Sequence, residues 1–225
     1  MSSTYFLGAA RTARQRGFTL VEIAIVLVVI GVLLGAILKG QELIENSRAK
    51  NAINEINGIR AAYNGYIDRY KRVPGDDGPL ATLTARGGNW TAVTAAGNNN
   101  GQIAVTAAQT FTAGGEGAAF FQHLRAAGFI TGQTNATGAA ALPRNAFGGL
   151  TGIVNAAVLG HPQATLMVCQ GSVPGKSAAA IDAQTDDGNP ATGNVRATQG
   201  AGNAAPAGAA TAYNEAQTYT MCATL

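Results

Sequence analysis

Hydrophobic and polar positions divide this chain into three regimes. From residue 18 to 38 the sequence reads FTLVEIAIVLVVIGVLLGAIL, apolar on every face, with Glu22 as the one ionisable side chain. Crossing about 30 Å of hydrocarbon at about 1.5 Å per residue takes roughly 20 residues, so this run has the length of one membrane-spanning helix. From residue 39 to 73 the pattern turns amphipathic. Leu43, Ile44, Ile53, Ile56, Ile59, Tyr63, Ile67 and Tyr70 form a stripe with steps of three or four from Ile53 onward, and Glu45, Arg48, Lys50, Glu55, Arg60 and Arg69 fall opposite. One helix over residues 18–70 would be about 80 Å long, and Pro74-Gly75 is expected to end it. Gly31, Gly35 and Gly40 interrupt it, each at a cost of about 1 kcal/mol relative to alanine.

Residues 74–225 are rich in Gly, Ala, Thr and Asn and poor in charge. Here the pattern predicts a short helix at 120–127, strands at 152–159 and 164–170, a helical turn at 178–184 and a terminal strand at 218–224. Residues 91–100 and 193–212 lack periodicity and read as loops or irregular strand edges, with a thin core as the consequence. A helix followed by antiparallel strands is an α+β order.

Residues 1–17 carry Arg11, Arg14 and Arg16 and no acid. They contain no apolar core, unlike an ordinary secretory signal. The arginines favour a cytoplasmic N-terminus, which places the chain beyond Lys39 outside the cytoplasm. A carboxylate in such a span is costly, on the order of 2.5–3.5 kcal/mol at mid-membrane and less near the interface, so Glu22 needs a partner.

Arg16-Gly17-Phe18-Thr19-Leu20-Val21-Glu22 resembles the cleavage and methylation signature of type IV prepilins and type II secretion pseudopilins. The resemblance is close from Arg14 to about Asp77 and weak beyond. It implies cleavage after Gly17 by a prepilin peptidase, N-methylation of Phe18, and pairing of Glu22, fifth after the cut, with the Phe18 amine of a neighbouring subunit. A buried carboxylate and ammonium are each costly alone and tolerable together. It also implies a pilin-like fold, a long N-terminal helix packed on an antiparallel β-sheet head, and assembly by an inner-membrane platform and an ATPase, with the finished filament periplasmic or at the cell surface. Many type IVa pilins have a proline where this chain has Lys39, so their helix kink does not carry over.

Charge reinforces the division. The formal charge is +3, but removal of the three leader arginines leaves 12 basic and 12 acidic side chains. The basic balance belongs to the leader and gives no argument for nucleic-acid binding.

Two cysteines, Cys169 and Cys222, lie in predicted strands of the exported part. One disulfide and two buried free thiols are both open; an oxidising compartment and the family's habit of closing a C-terminal loop favour the disulfide. Inside that loop Asp182, Asp186, Asp187 and Asn189 offer oxygen ligands of the kind calcium prefers, and some pseudopilins hold calcium in a C-terminal loop. The spacing is not that of an EF-hand. The alternative is a turn in which Asp186 or Asp187 caps backbone amides, with Asp76 and Asp77 in a similar role after Pro74-Gly75.

Nothing in the chain assembles a catalytic constellation. His123 and His161 lack metal-ligand neighbours in sequence, Ala113-Gly-Gly-Glu-Gly117 reads as flexible loop rather than phosphate cradle, and Trp90 reads as packing rather than a sugar platform. The expected role is structural, without a cofactor other than the calcium weighed above. The alternative is a minor pilin whose head binds a surface or substrate.

Overall fold

The computed structural model of the chain describes residues 17–225; the leader arginines therefore lie outside the described residues. Helix α1 runs over Leu20–Tyr70, followed by α2 (Leu80–Thr84), α3 (Gly117–Ala126), β1 (Thr151–Ala156), β2 (Thr165–Pro174), α4 (Gly175–Thr185), β3 (Val195–Gln199) and β4 (Thr218–Thr224). A long N-terminal helix followed by a four-stranded antiparallel sheet is the α+β, pilin-like architecture. The chain forms two compact units, the first ending at Leu43 and the second spanning Ile44–Leu225.

Helix α1 begins at Leu20, two residues later than the pattern predicts. It ends at Tyr70, before Pro74, where Lys71 turns left-handed at φ 55°. Within the second unit its buried face is Ala49, Ala52, Ile56, Ile59, Ala62 and Tyr66. This corrects the expected stripe: Ile53, Tyr63 and Tyr70 are half-buried at its flank, and Ile44 is exposed. Three of these six are alanines, and hydrogen bonds tie the helix to the sheet. The Gln170 amide of β2 donates to the Ala52 carbonyl at 3.2 Å, and the Arg60 guanidinium donates to the Thr224 carbonyl at 2.6 Å.

The sheet order is β1-β2-β4-β3, every pair antiparallel. The terminal strand matches its predicted span. The strand at 152–159 is shorter than expected and the one at 164–170 longer, while the helical turn at 178–184 is the 11-residue α4. Residues 193–212, read as loops or irregular strand edges, contain the edge strand β3 and loop; a five-residue strand is too short to show a pattern, and pairing with β4 defines it. Both edges are covered. Ala197 of β3 bonds to Pro190 and Ala210, and Asn155 of β1 bonds to Val105, so neither edge is an open template for strand addition.

The expectation of a thin core is also corrected. Tyr66, Phe120, Phe121, Leu124, Ile153, Met167, Ile181, Tyr219 and Met221 are buried in one cluster. Glycine makes this possible by close backbone approach. A Cβ at Gly152 would stand 2.0 Å from the Thr110 carbonyl oxygen, and one at Gly175 2.0 Å from that of Asn214. Glycines that read as looseness in sequence are here contact points.

Candidate functional site

The site of interest is the start of α1. Fifteen large apolar side chains between Phe18 and Leu38 are exposed, from Phe18 at 83% and Leu20 at 91% to Leu38 at 66%. An ideal Cβ at Gly31, Gly35 or Gly40 would meet nothing within 4 Å. Among the described residues one helix, Leu20–Tyr70, has a window long and apolar enough to cross a membrane, with a mean hydropathy of 3.0. Burying a Val, Leu or Ile side chain is worth about 1.5–3 kcal/mol, so a surface of this size in water forgoes tens of kcal/mol.

Thr19 and Glu22 organise the first turn. The Thr19 backbone N–H and hydroxyl both donate to Glu22 Oε2, at 2.8 and 2.9 Å, and the Glu22 N–H donates back to Thr19 Oγ1 at 3.2 Å. This reciprocal arrangement is a capping box. Its Thr-x-x-Glu spacing is legible in the sequence, and it explains why the helix begins at Leu20: Thr19 caps rather than joins it. Lys39, at the position of the absent proline, continues the helix and pairs with Glu42 at 2.8 Å on an exposed face.

In the second unit Cys169 and Cys222 form a disulfide between directly opposed positions of β2 and β4, with Cα atoms 4.0 Å apart. The enclosed acidic residues are clustered: one carboxylate oxygen from each of Asp182, Asp186 and Asp187 lies within 4.8 Å of the others. All three are engaged. Asp182 accepts from the Tyr213 hydroxyl at 2.7 Å and from the Gly188 N–H, Asp186 accepts from the N–H groups of Asn194 and Val195, and Asp187 accepts from the Asn189 N–H and the Thr192 hydroxyl. Burial, together with the charges of Asp187 and Asp186, pushes the Asp182 carboxyl above its usual range. In the structure these carboxylates cap backbone amides and hydroxyls of the turn; calcium would take about six to eight oxygens, from carboxylates, carbonyls and water. Asn189 Oδ1 serves the same turn, accepting from the Ala191 N–H.

Other buried carboxylates were not legible as such. Asp76 accepts from the N–H groups of Asn100 and Gly101, and Glu116 from those of Asn98 and Ala104. The segment expected to be a flexible glycine loop thus ends in a buried anchor, Glu116. Asp77 pairs with Arg86 at 2.8 Å, and Arg86 lies over the rings of Tyr70 and Trp90. Trp90 is buried in that cluster. His123 is fully buried: its Nδ1 accepts from the Gly75 N–H at 3.0 Å and its Nε2 lies 3.1 Å from the Ala95 carbonyl oxygen, which fits the neutral ring protonated on Nε2. Burial pulls its pKa down to about 4. His161 is half-buried, and burial together with the nearby Arg196 guanidinium pulls its pKa down.

Residues 12–38 match the family described as the prokaryotic N-terminal methylation motif, the signature of type IV prepilins and pseudopilins. The match takes in Gly17, Phe18, Thr19 and Glu22 and ends with the apolar run. The motif implies processing by prepilin peptidase and assembly with other pilins, a structural rather than an enzymatic role. No curated protein and no solved structure gives a significant match to the chain.

Proposed function

We propose that this chain is the structural subunit of a type IV pilus or type II secretion pseudopilus. It enters the inner membrane with its N-terminus cytoplasmic, is cut after Gly17 and N-methylated on Phe18, and polymerises through the helix that follows. The supporting observation is the coincidence of the methylation motif with a helix start whose apolar side chains are all exposed and which carries one acid, Glu22. The bilayer covers that surface before assembly, and neighbouring subunits cover it afterwards. Glu22 meets the Phe18 ammonium of the next subunit, which neutralises both charges in a low-dielectric interior and sets the axial register. A membrane platform and an ATPase supply the extraction from the bilayer.

Mass spectrometry of the mature N-terminus tests this reading. It is expected to show a chain beginning at methylated Phe18; an intact Met1 or a cut elsewhere overturns it. Glu22→Ala is expected to insert in the membrane as wild type does and to fail in assembly.

A further inference from the structure

We propose that Asn100-Gly101 is a self-modification site, at which the fold converts Asn100 first into a cyclic imide and then into an aspartyl or isoaspartyl residue. Asn-Gly occurs three times in the chain, at 57–58, 64–65 and 100–101. The first two lie inside α1, where the glycine N–H is directed at the carbonyl four residues back. The third lies in an exposed loop between α2 and α3.

Imide formation needs a backbone nitrogen that can lose its proton, a donor on the side-chain carbonyl that takes up charge, and access to water. Asp76 Oδ2 accepts from the Gly101 N–H at 2.7 Å, within the reach of a general base. Its other oxygen accepts from the Asn100 N–H at 3.0 Å, so the carboxylate is fixed on both sides. The Gln102 N–H donates to Asn100 Oδ1 at 2.9 Å, on the oxygen where negative charge develops. Gly101 sits at φ 84° and has no Cβ to crowd its nitrogen. Asp76 is buried, while Asn100, Gly101 and Gln102 are open to water. A weak nucleophile, the base beside it and the donor for its oxyanion are thus already assembled.

Gly101 N attacks Asn100 Cγ as its proton passes to Asp76, and the Gln102 N–H stabilises the oxyanion. The bond from Cγ to Nδ2 then breaks, and the amine takes up a proton and departs as ammonia while Asp76 gives its own up. Water adds to either imide carbonyl and leaves a carboxylate at residue 100. One water is consumed and one ammonia released. In the imide Gly101 has no N–H, so Asp76 loses one of the donors that tie this loop to it.

A hydrogen bond that merely restrains Gly101 predicts the opposite, a nitrogen less able to attack. Peptide mapping by mass spectrometry decides between the two. The full chain, folded in detergent, and a free peptide of residues 96–106 are incubated at neutral pH, and conversion at Asn100 is read from the amide-to-acid mass shift and isoaspartyl fragments. Conversion is expected to be at least about tenfold faster in the folded chain than in the peptide, a modest share of what a positioned base contributes. Asn57 and Asn64 are expected to stay intact in the same folded sample. Asp76→Asn keeps an acceptor for the Gly101 N–H but removes the base, and is expected to bring the rate down to that of the peptide or below. Equal or slower conversion in the folded chain, or an Asp76→Asn variant that folds and converts at the wild-type rate, overturns the proposal. The comparison of folded chain with peptide needs no variant, so it decides by itself should Asp76→Asn fail to fold.

Discussion

The Tyr66 hydroxyl donates to Asp77 Oδ2 at 2.7 Å, with both residues essentially buried, and joins the last turns of α1 to the segment that follows it. Arg86 donates to the same oxygen at 2.8 Å. One carboxylate thus holds the end of α1 and the residues after α2 together, and burial raises the Tyr66 pKa so that the phenol stays a donor.

Asp77→Ala is therefore expected to cost about 3–5 kcal/mol, because it strands a guanidinium and a buried hydroxyl. Tyr66→Phe leaves the ion pair intact and is expected to cost about 1–3 kcal/mol. Denaturant unfolding of the detergent-solubilised mature chain measures both, and equal losses would contradict the shared-carboxylate account.

His123 makes stability depend on pH. Its folded pKa, about 4, lies below its ordinary 6.5, so between these values the unfolded chain binds more protons. The neutral ring's contribution is complete above pH 6.5 and is lost as pH falls towards 4, by at most about 1.4 kcal/mol per pH unit and about 3 kcal/mol in all. Glu55 and Asp182, raised by burial, pull the other way in the same acid range. The histidine term is accordingly read as the difference between wild type and His123→Gln, whose curve is expected to be flatter between pH 4 and 6.5.

The Cys169–Cys222 disulfide closes a loop with a sequence separation of 53. On the chain-entropy relation this is worth about 4 kcal/mol. The Cys169→Ala/Cys222→Ala variant is expected to lose about that much, and reduction of the wild type should lower its melting temperature to match the variant's.

The acidic loop is expected to support itself. Asp186→Ala frees the N–H groups of Asn194 and Val195 at the start of β3 and should cost about 1–3 kcal/mol. Chelator is expected to leave the wild-type melting temperature unchanged; a rise of several degrees on adding calcium would instead assign an ion to Asp182, Asp186 and Asp187.

The N-terminal motif was legible because it is local. Arginines, glycine, Phe18, Thr19 and Glu22 lie within a few residues of one another, and an unbroken apolar run needs no partner to be recognised as a helix. The terminal strand and the helix around Phe120 were readable for the same reason, since their periodicity is their own. The buried face of α1 was not, because alanine carries no strong hydrophobic signal and its burial depends on what packs against it. Nor could the sequence say that β3 is a strand, that Gly152 and Gly175 are contact points, or that Asp76, Asp77 and Glu116 are interior. Each depends on groups far away in the chain: a strand partner, a facing carbonyl, a set of loop N–H donors. What one stretch of residues can satisfy by itself the sequence determined; what needs a distant partner only the tertiary structure decided.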